Sequence, residues 1–431
     1  MTLPLHLNIF RSFEGYVFHP DVATTFPVAV TENQSTLILK KRKGFPKWDD
    51  NGIAISRFIS YIHGLLNDSI RGRHQPTALY IVDGNGTLWT SARMGKKSGR
   101  LKKRIQPSES LSVLALAMLQ KSIMNNETSR WPALAKAIQN GGFPFLAYYK
   151  DFIGCNTNNW KINSANRYSI PIFTLCARLD CEHAFPWPTY ESITKSKAVR
   201  REWEQIILEN RQEYSSSSKI PRAIWRGSLT GTNNKLLNES TRWQLCHLAK
   251  QQPLVDARLI KVPVYRRNEM NLSDVNGLSA PMNMRDFQRY IAVIDVDGHA
   301  WSSRFAELLC MDSVVLKVQP TWVDYFYHQL VPWTHYIPVR QDLSDLVAHI
   351  EWVISHPNQS RAIVESANRW CSQKLLRSSL AIDVLDIWNE YVMKFDRAET
   401  TWSDIWRRQL RIFLLRQNEI VRIIARPEEL H

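Results

Sequence analysis

An α/β fold of two Rossmann-type domains is the architecture this sequence predicts, on three observations. A chain of 431 residues and 50.1 kDa exceeds one ordinary core, which sets a prior of two domains of roughly 200 residues each. Short apolar runs rich in Val and Ile alternate with longer helical patterns through most of the chain, the pattern of βα units and parallel sheets. A serine run, Ser215–Ser218, separates a strongly helical stretch from a strand-like one and marks the boundary.

In chain order, the strand candidates before that run are ALYIVDG (78–84), PFLAYY (144–149) and IPIFTLC (170–176), with ESLSVLALAMLQKSIM (109–124) and SKAVRREWEQIILENRQ (196–212) as helices. After it, AIWRG (223–227), LIKVPVY (259–265), YIAVIDVDG (290–298) and VVLKV (314–318) read as strands. FAELLC (305–310) and LSDLVAHIEWVISH (343–356) read as helices. The organisation expected is residues 1–214 as one domain, 215–385 as the second, and 386–431 as C-terminal helices packing back on the first. Ligands of such sheets bind beyond the carboxyl ends of the strands, so the site is expected in the cleft between the domains.

Bulk composition narrows the classes. No apolar stretch approaches the roughly 18 residues of a membrane span, since LSVLALAML (111–119) is the longest clean run. The N-terminus lacks the charged, apolar and small-residue regions of a signal peptide, so the expectation is a cytoplasmic protein, with contact at the inner face of a membrane as a further option. The six cysteines show no paired CxxC spacing; a zinc site is not expected and reduced thiols are.

A net charge of +15 concentrates polyanions, and the runs KKRKGFPK (40–47) and KKSGRLKKR (96–104) carry part of it. The alternative class is a basic nucleic-acid-binding protein without catalysis. Against it, the sixteen tryptophans lie in apolar segments and do not interleave with the basic runs. The tail WSDIWRRQLRIFLLRQNEIVRIIAR (402–426) reads as an amphipathic helix with arginines opposite its apolar face. Packing on the first domain is expected of it, with an anionic membrane surface as the alternative partner.

Two stretches carry chemistry. In VIDVDGHAWSSRFAELLCMDSVVLKV (293–318) a buried strand leads through a polar loop to a helix expected to open near Ser302 and Ser303, with Arg304 in its first turn. Amides at such a start and a forked guanidinium both suit a pyrophosphate. The triplet Asp295-Val296-Asp297 could instead hold a divalent metal against a diphosphate, because carboxylate oxygens match Mg²⁺ and Mn²⁺. In IPRAIWRGSLTGT (220–232), Arg226 ends an apolar strand just before Gly227, Ser228 and Thr230, which supply close backbone approach and hydroxyls.

Together, WRGSLTG (225–231), YIAVIDVDGHAWSSRFAELLCMDSVVLK (290–317) and FYHQLVPWTHYIPVRQDLSDLVAHIEWV (326–353) resemble, in order and spacing, the family 90 glycosyltransferases, over roughly residues 145–380. That family includes protein O-glucosyltransferases, capsule xylosyltransferases and lipopolysaccharide-modifying enzymes. The resemblance implies a GT-B fold, two Rossmann-like domains facing a central cleft, and inverting transfer of a sugar, glucose or xylose, from a UDP-sugar with no metal and no cofactor. It further implies an acceptor hydroxyl on a glycan, lipopolysaccharide or protein, and no nucleic acid partner.

By position, the resemblance makes Arg226, Gly227, Ser228 and Thr230 donor-binding, along with Asp297, Gly298, His299, Ala300, Trp301, Ser302, Ser303 and Arg304. It makes Asp151, in FLAYYKDFIGC (145–155), the catalytic base. The family commonly follows that aspartate with an aromatic and a proline, whereas this chain has Phe152 and then Ile153, which leaves Asp180 and His183 as fallback bases. On this reading Asp295 and Asp297 end a strand and shape the turn or bond the donor sugar.

Overall fold

The computed structural model describes residues 77–91, 107–148, 172–178, 184–188, 219–231, 236–269, 271–396 and 420–422. Asp151, Asp180, His183, both basic runs, the serine run and the helix expected over 196–212 lie outside the described residues. The chain forms two α/β units, dividing between residues 191 and 192 and again between 376 and 377. The sequence reading placed these divisions after 214 and after 385.

The first unit begins with a hairpin of β1 (Thr77–Asp83) and β2 (Leu88–Ser91). Only residues 84–87 join them, far too few for a crossover, so the pair is antiparallel. Helices α1 (Pro107–Met124) and α2 (Pro132–Gln139) follow, then β3 (Gly142–Tyr148), antiparallel to β1 with Leu79 opposite Leu146. The next strands are β4 (Ile172–Thr174), β5 (Ala177–Arg178) and β6 (Ala184–Pro186), and β3, β4 and β6 pair in parallel. The sheet of this unit is therefore mixed.

The second unit contains β7 (Ile220–Ser228), α3 (Thr241–Gln251), β8 (Val255–Lys261), β9 (Tyr290–Asp295), α4 (Phe305–Leu309), β10 (Val314–Val318), β11 (Trp322–Val323) and β12 (Ile337–Val339). Helices α5 (Leu346–Ser355) and α6 (Pro357–Lys374) complete it. Its sheet runs β12-β10-β9-β7-β8, with every neighbouring pair parallel. Burial follows sheet position: every residue of the interior strand β10 is buried, whereas the edge strand β8 alternates. The core beneath it includes Trp225, Leu245, Ile294, Leu316, Ile337 and Ile350.

In this order the first strand, β7, is flanked by the second on one side and the third on the other. That is the doubly wound arrangement whose connections reverse direction between β7 and β9, and such a switch point opens a crevice at the carboxyl ends of the two strands.

The chain then returns to the first unit through α7 (Arg377–Asp396), which packs on α1 and α2. Asp386 accepts from Arg130 Nη2 at 2.9 Å and from Trp131 Nε1 at 2.6 Å, and Asn389 Oδ1 accepts from the amide of Leu134. Trp388 and Tyr391 of the same helix join Phe143, Phe145, Phe173 and Trp187 in an aromatic core. Strand β13 (Ile420–Arg422) pairs antiparallel with β2. This corrects the continuous helix expected over 402–426: the β-branched Ile420-Val421 pair completes a sheet edge instead.

A second correction concerns the cysteines. Cys310, at the end of α4, and Cys371, in α6, form a disulfide with Cα atoms 5.5 Å apart, where reduced thiols were expected. A pair separated by 61 residues leaves no spacing signature in the sequence. Asn368 Nδ2 donates to the carbonyls of Leu309 and Met311 beside it, so α4 is held to α6 twice. Cys246 is a buried free thiol, and Cys176 is buried. Among the described residues, no helix is long and apolar enough to cross a membrane.

Candidate functional site

The loops at the carboxyl ends of β7 and β9 meet at the switch point. Gly231, after β7, has φ +80°, and a side chain there would collide with the carbonyl of Gly298, after β9. The Gly231 amide donates to Nδ1 of the exposed His299 at 3.3 Å, which leaves the proton of a neutral imidazole on Nε2. Thus residues 228–231 and 296–304 form one continuous rim.

The group that staples this rim is Arg242, in the first turn of α3. Its Nε donates to Asp297 O at 2.8 Å, Nη2 to Val296 O at 3.0 Å, and Nη1 to Ser228 O at 2.8 Å and Thr230 Oγ1 at 2.7 Å. All of these acceptors are uncharged. Burial pushes the guanidinium down to about 10, the charge of Arg304 acts the same way, and Asp295 and Asp297 oppose; it remains protonated at neutral pH. The sequence reading missed Arg242 because an arginine in TRWQLCHLAK looks like any helical surface charge. Only the fold brings it beneath the two loops.

Arg304 donates through Nη1 to the main-chain carbonyl of Arg226 at 2.8 Å and, among the described residues, is bridged to no carboxylate. Burial lowers its pKa, with Asp295 and Glu307 opposing. Its remaining donors and, among the described residues, the main-chain amides of His299 to Arg304 have no protein acceptor. The helix expected to open at Ser302 opens at Phe305 and has only five residues, so the anion-seeking groups are the loop amides and guanidinia, with little help from a helix dipole. Within the loop Ala300 is buried, Trp301 and Ser303 are half-buried, and the Ser302 hydroxyl donates to Asp295 Oδ1.

Arg226 behaves differently from the expectation. Its Nη2 lies 2.8 Å from Asp256 Oδ1 and its Nη1 donates to the carbonyls of Trp225 and Asp256, while Tyr290 Oη donates to the other oxygen of Asp256. Strand alternation puts Arg226 and Trp225 on opposite faces, and the register pairs Ile224 with Asp256, two residues back. Its guanidinium therefore points back along the sheet, and its contribution to the rim is its carbonyl. Gly227 packs where a side chain would strike the ring of Trp225.

The Asp-x-Asp triplet is occupied from within. Lys317 Nζ, on β10, lies 2.8 Å from Asp295 Oδ2 and 2.9 Å from Asp297 Oδ1. Burial would push the lysine down, but the two carboxylates outweigh it and its pKa lies above the ordinary value. Asp297 Oδ2 accepts the amides of Thr321 and Trp322, so this side chain shapes a turn. Among the described residues no group of three or more His, Cys, Asp or Glu is placed to hold a metal.

A parallel α/β unit that gathers at its switch point two guanidinia with no bridged carboxylate among the described residues, and a run of open amides, has a layout suited to an anion. The chain belongs to glycosyl transferase family 90, whose model matches residues 154–401. It is 28% identical over 231 residues to protein O-glucosyltransferase 2 of Danio rerio, covering 52% of this chain and 44% of that protein. It is 29% identical over 226 residues to protein O-glucosyltransferase 3 of Homo sapiens, covering 52% of this chain and 42% of that one. The chain thus spans less than half the length of these relatives. A crystal structure of Anabaena Alr3699/HepE in complex with UDP aligns with a TM-score of 0.34 and 10% identity, covering 64% of this chain and 75% of that chain.

Proposed function

We propose that this protein is an inverting, metal-independent glycosyltransferase that moves a sugar, glucose or xylose, from a UDP-sugar to a hydroxyl group of a protein, glycan or lipopolysaccharide acceptor. The observation that carries the reading is Arg242: a half-buried, charged guanidinium whose acceptors are all uncharged, next to a second guanidinium and open amides. Such a cluster favours a diphosphate, whose negative charge grows as the bond to the sugar breaks, and it is organised before the reaction begins. The names of the relatives make UDP-glucose and a protein acceptor the first combination to test.

In this scheme the acceptor oxygen attacks the anomeric carbon from the face opposite UDP. The bond to the diphosphate oxygen breaks with its electron pair, and the acceptor proton passes to a carboxylate, assigned to Asp151. A positioned base contributes about 10²–10⁴-fold. Arg304 and the amides of 299–304 bond the diphosphate, and Arg242 adds its charge from beneath. No step calls on a metal, since Lys317 already sits between the two carboxylates of the triplet.

The test is calorimetric titration with UDP, followed by UDP release from UDP-glucose and UDP-xylose, before and after EDTA treatment. UDP binding with a rate changed less than about twofold by EDTA is expected, because the counter-charge is part of the protein. Loss of activity on stripping, restored by Mn²⁺ or Mg²⁺, would overturn the metal-free reading. Asp151→Asn is expected to abolish transfer and leave UDP affinity intact; near-normal turnover would move the base to Asp180 or His183.

A further inference from the structure

The buried ammonium of Lys317 reaches two separate loops. One branch runs from Nζ through Asp295 to the hydroxyl of Ser302, inside the 298–304 loop. The other runs through Asp297 to the amides of Thr321 and Trp322, in the segment that follows β10. Lys317 is 1% exposed and lies against the rings of Phe305 and Tyr327, at 4.9 and 5.6 Å from Nζ to the centroids. Stability alone is a poor reason for such a triad, because well-packed apolar side chains often replace buried ion groups with no loss. The groups at the far end of each branch are loop atoms at the carboxyl edge of the sheet, which is where the ligand is expected.

We propose that Lys317 is a positioning residue for the donor: a built-in cation, seated between Asp295 and Asp297 where a metal-dependent Asp-x-Asp site would hold its ion, that fixes the 298–304 loop and the 321–322 segment at the spacing the donor diphosphate requires. The proposal rests on the reading of this rim as the UDP-sugar site. A single ammonium ties both carboxylates together as a divalent ion would, with longer contacts, one unit less of positive charge and no dependence on metal supply. Mg²⁺ would need oxygens at about 2.0–2.1 Å, so it can enter only once the lysine has left and the carboxylates have closed inward.

The experiment uses the full chain and UDP as the probe, in wild type, Lys317→Met, Lys317→Ala and Ser302→Ala. In metal-free buffer, Lys317→Met and Lys317→Ala are expected to bind UDP about 10–100-fold more weakly than wild type, the range for loss of a supporting shell. Adding Mn²⁺ or Mg²⁺ should recover UDP affinity in Lys317→Ala, whose seat is open. It should do little for wild type or Lys317→Met, whose seats are filled. A merely structural lysine would give no such metal response. Ser302→Ala cuts the donor-side branch with little threat to folding, and its UDP affinity should fall several-fold with cooperative unfolding retained.

Folded Lys317→Ala that binds UDP as wild type does, or that ignores both metals, overturns the proposal. Should both lysine variants fail to fold, unchanged UDP affinity in Ser302→Ala overturns it alone. Wild type that does not bind UDP overturns the donor-site reading itself, and this inference with it.

Discussion

Arg226 and Asp256 form a buried ion pair, with Nη2 2.8 Å from Oδ1, and Tyr290 completes the satisfaction of the carboxylate. The arginine that follows the tryptophan of the WRG motif is thereby a structural residue of the β7–β8 pair. Arg226→Ala takes the nearer cation from the half-buried Asp256 and leaves Arg258 Nε, 3.7 Å from Oδ1, so the loss is expected to lie at or below about 3–5 kcal/mol, the usual cost of breaking a buried pair from one side. Urea unfolding measures it. UDP affinity of the fraction that remains folded should stay near wild type; a large affinity loss at unchanged stability would return Arg226 to the donor site.

Arg304→Gln makes the opposite prediction. Its one hydrogen bond among the described residues, to Arg226 O, is minor for stability. UDP affinity should fall by about 1.5–3 kcal/mol, the worth of a hydrogen bond to a charged group, with little shift in the unfolding midpoint. Calorimetric titration together with thermal unfolding separates the two effects.

His349 sets an acid limit on the second unit. The ring is 1% exposed, neither nitrogen has a hydrogen-bond partner among the described residues, and Asp345 Oδ2 is 3.9 Å from Nδ1. Burial pushes the imidazole down to about 4, and Arg340 adds to the effect. A histidine with a depressed folded pKa contributes its stability above the unfolded value of about 6.5 and loses it as pH falls from there toward 4. Asp345, raised to about 6 by burial, changes in the opposite sense, but it is present in both proteins when wild type is compared with His349→Leu. The stability difference should move about 2 kcal/mol in the variant's favour between pH 7 and pH 5. Denaturant titrations at the two pH values check this, and a pH-independent difference would contradict it.

The Cys310–Cys371 bridge predicts a linked pair of peptides in non-reducing digests of protein prepared under oxidising conditions. Cys371→Ala should lower stability by about 2–4 kcal/mol in those conditions and far less in reductant, where the cross-link is absent from both proteins. Equal stability in the two conditions would mean that the thiols do not pair.

The parallel sheet of the second unit was legible from sequence because its strands are buried on both faces and read as unbroken apolar runs, such as YIAVID and VVLKV. The stretch from Gly298 to Arg304 stood out in the sequence as well, since these residues are contiguous and their types suit a phosphate. The mixed sheet of the first unit was harder to read: strand runs do not carry direction, and it is the four-residue turn between β1 and β2 that makes that pair antiparallel. Ile420-Val421 fits a helical wheel and a strand equally well, and only pairing with β2 decides between them.

By itself, then, the sequence determined the α/β class and the family, because these depend on local periodicity and on contiguous motifs. The tertiary structure alone decided which charges are free to act. It turned Arg226 back onto Asp256, 30 residues away, brought Arg242 of α3 beneath two loops, and placed Lys317 of β10 between Asp295 and Asp297 of β9. A side chain's partner is set by strand order and register, which bring together residues far apart in the chain, and a charge is available to a ligand only when folding has not already given it a counter-charge.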